Sequence, residues 1–285
     1  MNDRHTDDAL KIVDDIIGMI ADEVDTVKAG KVFTRWLEVQ KSFWSYSFSN
    51  AMLIAFQAHR MGFQASRVAG YGTWKSLGRH VRAGEKAIWI LAPNFRKVED
   101  RATGDKKNIV TGFRSVTVFD VSQTEGEDLP VLDWRNHESD DHGLSVKLEA
   151  EYLIRGIDLA FISAEEMGKT CPGANGFSRG KYVAILDTLT GVERASTMAH
   201  ELAHSILHFG DGSVLETDHS RSVMEIEAES IAACVLGGFG LEWKASAMYI
   251  ACWKGDRDQI KKSMSRIANT SKQILSAITN EKAEE

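Results

Sequence analysis

The sequence predicts an α+β protein built from two domains. Apolar residues at helical spacing alternate along the chain with short runs rich in β-branched and aromatic residues, which is typical of a mixed helix and sheet fold. An acidic stretch without periodicity interrupts the pattern, and 285 residues with 43% hydrophobic content suffice for two hydrophobic cores. We therefore expect domains over residues 1–124 and 145–285, joined by a linker over residues 125–144.

The N-terminal domain is predicted to begin with helices and continue with strands. Helical spacing of apolar residues predicts a helix over residues 9–28 and a second one over residues 49–63, capped by Ser49 or Asn50. The runs AIWILAP and VTGFRSVTVFDV are typical of strands. The polar segment 97–108 between them predicts a hairpin loop.

The C-terminal domain is predicted to alternate helices and strands before three final helical regions. LSVKLEAEYLIRGI indicates a helix, and DLAFIS and GKYVAILD indicate strands. We expect GKYVAILD to run along a cleft and pair with an extended peptide. Tyr182, within this strand, is positioned to donate a hydrogen bond to an oxyanion.

Composition limits the compartment and the class of protein. The chain has no apolar run of eighteen residues, and its N-terminus lacks the features of a signal peptide, so a cytoplasmic protein without a membrane partner is expected. The cysteines are odd in number and show no Cys-x-x-Cys spacing, which argues against a disulfide framework and against a zinc ribbon. Buried thiols are expected at Cys171, Cys234 and Cys252.

The segment TMAHELAHSILH contains a candidate metal site. His200 and His204 are four residues apart, so on a helix they project from one face, one turn apart, where two imidazoles can share a zinc ion. Glu201 would then lie beside the open metal position and act as the proton acceptor for water activation. An apolar stripe would bury the other side of this helix, at Ala199, Leu202, Ala203 and Ile206. This arrangement predicts a zincin-like helix.

A catalytic zinc needs a third protein ligand, and a downstream glutamate is expected to supply it. The metzincin continuation is absent, because Leu207 and Gly210 stand where it requires glycine and histidine. Glu229 lies deepest in the apolar context of the next helix and is our predicted ligand. Glu225, one turn earlier, could act as its partner, and Glu225 and Glu227 remain alternative ligands.

Charge is distributed unevenly along the chain. The whole protein carries a net charge of −7, yet residues 60–114 hold twelve Lys or Arg against four acidic residues, a net +8, which leaves −15 elsewhere. Within this basic segment cations alternate with aromatic residues, as single-stranded nucleic acid requires for phosphate contacts and base stacking. Core packing of the aromatics would give the same composition. The candidate DNA-binding residues are Tyr71, Trp74, Lys75, Arg79, Arg82 and Lys86.

Three blocks of sequence, YSFSNAMLIA, GYGTWKSLGRHVRAGEKAIWILAP and VFDVSQTEGEDLP, precede the HELAH half. In this order they resemble the ArdC-type antirestriction proteins of conjugative plasmids, whose N-terminal domains are related to those of TraC-type plasmid primases. The resemblance implies an N-terminal domain that binds single-stranded DNA and a C-terminal zincin-like, gluzincin-type metallopeptidase domain. It also implies protection of incoming plasmid DNA from host restriction, with a host restriction protein or another DNA-bound protein as the expected peptidase target.

Two other interpretations remain. The protein could be a DNA-binding antirestriction protein whose metal site is structural or inactive. It could instead be a regulatory peptidase that cuts a repressor, as ImmA-like proteins with a similar HExxH helix do. The basic segment argues against the second of these, because such a peptidase has no need of it.

Overall fold

A computed structural model describes residues 4–22, 33, 36–41, 43–99, 106–127, 140–209, 221–242 and 256–279. The chain divides into two compact units, one of residues 1–18 and 49–130 and the other of residues 19–48 and 131–284. The predicted domain boundaries remain a prediction. Residues 128–139 of the predicted linker, and Cys252, lie outside the described residues.

The first unit combines helices with antiparallel strands. One sheet has the strand order β1-β4-β3, and β2 pairs with β5 in a separate two-stranded ribbon. Its elements in chain order are α1 (Arg4–Asp22), α2 (Phe48–Arg60), β1 (Val68–Ala69), α3 (Tyr71–Ser76), β2 (Arg79–Val81), β3 (Ile88–Glu99), β4 (Lys106–Asp120), a 3-10 turn (Val121–Gln123) and β5 (Thr124–Gly126).

The β3–β4 hairpin is longer than the sequence predicts. Pairing runs from Ile88 opposite Val118 to Glu99 opposite Lys106, so both strands continue into the segment expected to be a loop. A register shift, of the kind a β-bulge makes, falls between Asn94 and Phe95. Polar residues suggested a loop here, but a ribbon can keep its backbone hydrogen bonds without a buried face. Polarity alone was therefore a poor guide to where the strands end.

Helix α2 takes the place of a further strand beside β3. It begins at Phe48, so Ser49 and Asn50 lie inside the helix instead of capping it. The Asn50 side chain donates to the Leu91 carbonyl and accepts from the Leu91 N–H, both at 2.9 Å. Gln57 makes the same pair of bonds to Trp89, at 2.7 and 3.0 Å. Two side-chain amides thus satisfy backbone groups that would otherwise need a neighbouring strand.

The second unit packs helices against a three-stranded sheet of order β6-β8-β7. Its central strand β8 is parallel to β6 and antiparallel to β7. GKYVAILD forms this central strand, so the expectation that it pairs with a peptide is wrong, because both of its edges are already paired. The elements in chain order are α4 (Leu144–Ile154), β6 (Asp158–Ile162), α5 (Ala164–Thr170), β7 (Gly176–Ser178), β8 (Tyr182–Leu186), α6 (Gly191–Leu207), α7 (Arg221–Gly238) and α8 (Arg257–Thr279).

The core of the second unit lies around α6. The predicted apolar stripe is buried at Ala199, Leu202 and Ala203. The Tyr152 hydroxyl of α4 donates to the Met198 carbonyl at 2.6 Å and fixes the two helices together. Helices α7 and α8 also pack closely at Gly238, where a Cβ atom would lie only 2.6 Å from a methyl carbon of Leu275. This packing makes α6 a rigid support for its polar face.

Two further expectations concern thiols and membranes. Cys234 is fully buried, and burial raises the pKa of its thiol to about 12, which makes it unreactive. Cys171 is only partly buried. Over the described ranges, none of the helices combines the length and apolar character that a membrane crossing requires.

Candidate metal centre

Helix α6 carries His200 and His204 on one face, as their spacing predicts. Their Nε2 atoms are 3.0 Å apart. The Glu225 carboxylate of α7 completes the group, with its Oε2 atom 3.4 Å from Nε2 of His200 and 3.5 Å from Nε2 of His204. One ligand atom from each residue lies within 4.8 Å of the others. The three side chains can therefore hold a divalent metal ion.

The separations of these atoms fit coordination of a single ion. Zinc bonds of about 2.0–2.1 Å at tetrahedral angles place ligand atoms about 3.3–3.4 Å apart. The distances of 3.0, 3.4 and 3.5 Å lie close to that value. Two imidazoles and one carboxylate leave one position of a tetrahedral site open, which is the arrangement of a catalytic ion.

The roles predicted for the two glutamates of α7 are reversed in the structure. Glu225, expected as a partner, faces both Nε2 atoms. Glu229, expected as the ligand, places Oε2 3.3 Å from Nδ1 of His200. Both lie on one face of the helix, so local burial could not separate them. The way α7 crosses α6 decides which carboxylate reaches the histidines.

Charge and burial perturb the ionisation of these groups. Burial lowers the pKa of His200, but hydrogen bonds to Glu225 and Glu229 outweigh it and raise the pKa to about 9. Hydrogen bonds from His200 and His204 hold the pKa of Glu225 well below its usual range. Burial raises the pKa of Glu201 to about 7, although His200 opposes the rise. Such perturbed groups in one cluster are typical of functional sites.

A buried chain of hydrogen bonds extends from His204 into the core. Nδ1 of His204 lies 2.9 Å from Nδ1 of His208, and Nε2 of His208 lies 3.1 Å from Oε2 of Glu227. His208 and Glu227 are 1% and 0% exposed. The other carboxylate oxygen of Glu227 accepts hydrogen bonds from Ser263 and Arg266 of α8. We refer to His204, His208, Glu227, Ser263 and Arg266 as the buried relay.

With both imidazoles neutral, as metal binding at His204 requires, the buried relay has one pattern of protons. Ionised Glu227 can only accept, so Nε2 of His208 donates to it and Nδ1 of His208 is left as an acceptor. Nδ1 of His204 must then donate, which leaves its Nε2 lone pair directed at the metal position. The sequence alone indicated Glu227 only as an alternative ligand. The apolar surroundings of Glu227 were the available signal for a buried partner.

A cavity of about 270 Å³ opens beside His200. Gly176 of β7 lies against α6, where a Cβ would come within 2.9 Å of Thr197 and 3.1 Å of Glu201. Strand β7 therefore borders this cavity, while Tyr182 is absent from its lining. The lining residues are Asn175, Gly176, Glu193, Ser196, Thr197, His200, Glu201 and Glu229.

The candidate DNA-binding aromatics differ in exposure. Trp74 is only 2% exposed, and its Nε1 donates to the Phe119 carbonyl at 2.9 Å. The expectation that Trp74 stacks on a base is wrong, because the indole is part of the core and its polar atom is already bonded. Tyr71, one turn earlier, is 57% exposed and remains accessible.

The candidate cations also differ in their contacts. Arg79 donates to the hydroxyl of Thr124 at 2.9 Å and to backbone carbonyls of β5 and the residue after it. Arg82 donates to the Ser122 carbonyl at 2.7 Å and pairs with a carboxylate three residues later. Both arginines therefore hold the β2–β5 ribbon in place. Lys75 and Lys86 are exposed, and neither side chain forms a polar contact with a residue that the structure describes.

Both halves of the chain match known families. Residues 9–119 match the N-terminal domain of the anti-restriction factor ArdC, and residues 155–236 match the IrrE N-terminal-like domain of the M78 peptidases. The first part of the chain therefore carries an ArdC-type N-terminal domain. The sequence resemblance and the mixed two-domain fold class are thereby confirmed, and the second match makes the C-terminal half metallopeptidase-like.

Two proteins that resemble this chain over most of its length are distant from it in sequence. An uncharacterized protein of Bacillus anthracis is 26% identical over 279 residues, which covers 83% of this chain but only 46% of the relative's length. The chain thus spans about half of that relative. The crystal structure of the antirestriction ArdC protein from plasmid R388 in its Mn(II)-bound form is 19% identical, with a TM-score of 0.51, and covers 95% of this chain and 97% of the other. That likeness shows the fold.

Proposed function

We propose that this protein protects incoming conjugative DNA from host restriction in the cytoplasm. In this proposal the N-terminal domain binds single-stranded DNA and the C-terminal domain carries a zinc-dependent peptidase site. The observation that carries the proposal is the convergence of His200, His204 and Glu225 beside a cavity that Glu201 lines. The match of residues 9–119 to an ArdC domain supports the antirestriction role.

Zinc is the proposed ion because of the donor set. Two imidazole nitrogens and a carboxylate suit zinc, whereas manganese favours oxygen-rich sites. The Mn(II) in the R388 protein supports divalent-ion binding in this fold but leaves the metal's identity open. When bound, the ion would polarise an oxygen atom of water or of a peptide carbonyl.

Each surrounding residue has a proposed task. Glu201 takes a proton from water and passes it to the leaving amine, since its carboxylate lines the cavity beside His200. The extended substrate lies along β7, whose second edge pairs with no strand of the described sheet. A DNA-bound protein, such as a host restriction enzyme, is the proposed target.

A silent metal site is the second candidate function. His200 lies between the carboxylates of Glu225 and Glu229, an arrangement that also stabilises a protonated imidazole. In that case protection depends on DNA binding alone, and proteolysis has no part in it.

The metal and DNA components are tested on one purified sample. Elemental analysis should find about one zinc ion per chain, and His204→Ala should lose it, since two ligands bind far more weakly than three. Titration with oligonucleotides should show tighter binding to single strands than to duplex, and affinity should fall steeply with salt. A wild-type protein that stays metal-free in excess zinc would exclude the metal site.

Glu201→Ala separates the two candidate functions. The variant should keep its metal and its DNA affinity but lose protection in conjugation assays into a restricting host, because it lacks the proton acceptor. Glu193→Ala is the matched control, since Glu193 lines the same cavity but is exposed. Full protection by Glu201→Ala would favour the silent site.

A further inference from the structure

We infer that single-stranded DNA binds to the far half of the β3–β4 hairpin, residues 93–99 and 106–114, here called the hairpin arm. The inference rests on the DNA-binding function proposed above and assigns its surface. It moves the stacking role from Trp74, which is buried, to phenylalanines that the sequence argument did not consider.

Burial changes sharply along the hairpin. At its base Ile88 and Ile90 are 0% and 6% exposed, and both belong to the core. In the hairpin arm four large apolar side chains are exposed instead, with Phe95 at 55%, Val110 at 53%, Ile109 at 46% and Phe113 at 42%. Exposed aromatic residues on a strand pair are typical of binding surfaces.

Phe95, Val110 and Phe113 share one face of the ribbon, whereas Ile109 pairs with Arg96 on the other face. Phe95 pairs with Val110, and Pro93 pairs with Phe113. Directly paired residues lie on the same face, and so do residues two apart in a strand, which groups Phe95 with Phe113 as diagonal neighbours. The irregularity after Asn94 lies between these two pairs, and bulges commonly redirect side chains next to functional sites. The two rings thus provide adjacent platforms for stacking.

The charge of the hairpin arm is complementary to a phosphate backbone. Its described side chains include three cations, Arg96, Lys97 and Arg114, and no carboxylate. All three are exposed, and Lys97 lies on the same face as Phe95, whereas Arg114 donates to the Asn94 side chain at 2.9 Å. Aromatic platforms beside cations bind unpaired strands without a sequence requirement.

Single-stranded DNA fits this surface better than the alternatives. Bases of a duplex are already stacked on one another and cannot reach the rings, so the phenylalanines favour single strands. A second copy of the chain would bring two positively charged arms together, and like charges in contact are unfavourable. Arg79 and Arg82, the earlier candidates, already donate to carbonyl groups of their own unit.

Fluorescence anisotropy with a labelled oligothymidine tests the inference on the full chain. Phe95→Ala and Phe113→Ala should each raise the dissociation constant at least about fivefold, the lower end of the effect of losing one stacked base. Phe95→Tyr should bind like the wild type, whereas Phe95→Leu should bind like the alanine variant, because leucine is apolar but cannot stack. Leu10→Ala, at a 40% exposed apolar residue of the same unit, is the matched control and should leave affinity unchanged.

The outcomes distinguish this inference from the proposed function. Wild-type protein that fails to bind the oligonucleotide overturns both. Wild-type binding that survives the combined Phe95→Ala and Phe113→Ala change overturns the hairpin arm alone, provided thermal denaturation shows both proteins folded. Self-association that the double variant abolishes, with oligonucleotide affinity intact, would instead assign the hairpin arm to a contact between copies.

Discussion

Glu227→Gln should weaken metal binding although Glu227 is not one of the proposed ligands. The carboxylate accepts from His208 with one oxygen and from Ser263 and Arg266 with the other. Glutamine has one oxygen and one NH2 group, so its NH2 would face a donor on one side and break that contact. Loss of partners of this kind typically costs 10–100-fold in metal affinity. We expect a rise of about tenfold or more in the zinc dissociation constant.

Competition with a zinc chelator measures this effect, and Glu151→Gln provides its control. Glu151 is also a buried carboxylate of the second unit, 3% exposed, and it pairs with Arg155 at 2.5 Å without touching a histidine. Both variants should lose about 1–3 kcal/mol of unfolding free energy, because each leaves a partly buried arginine poorly paired. Only Glu227→Gln should change zinc affinity. Equal affinities in both variants would refute the role assigned to the buried relay.

Two further predictions concern packing and are measured by thermal or chemical denaturation. Gly176→Ala should destabilise the protein by about 1–3 kcal/mol, because its Cβ would lie 2.9 Å from Thr197, whereas Gly168→Ala has nothing within 4 Å and should not. Trp74→Ala should lower the unfolding free energy by about 3–5 kcal/mol, because the indole is buried. Tyr71→Ala should lower it by less than about 0.5 kcal/mol, because this ring is exposed. Similar losses in the two variants would restore the stacking interpretation of Trp74.

Features set by local spacing could be predicted from the sequence, whereas features set by tertiary packing could not. His200 and His204 are one turn apart on any helix, so their shared face followed from the sequence. Glu225 and Glu229 are also one turn apart, and only the crossing of α6 and α7 decides which of them meets the imidazoles.

The exposure of side chains in the basic segment could not be predicted from the sequence either. Its composition identified cations and aromatics, but alternation along the chain cannot tell a core indole such as Trp74 from an accessible ring. Phe113 lies in a run that indicates an ordinary strand, and Phe95 lies just after another such run. The exposure of both rings depends on how far the hairpin continues beyond the core. The polar residues of segment 97–108 predicted a loop, so the length of the hairpin could not be predicted.

The side-chain amide contacts of α2 also determine the register of β3 relative to the helix. Asn50 and Gln57 bind Leu91 and Trp89, two alternate residues of β3. Successive residues of a strand point their backbone groups to opposite sides, so a slip of one residue would offer both amides groups directed toward β4. Such a slip would forfeit four hydrogen bonds at once. Helix α2 thus fixes the register of β3 and thereby determines which side chains of β3 extend past the core.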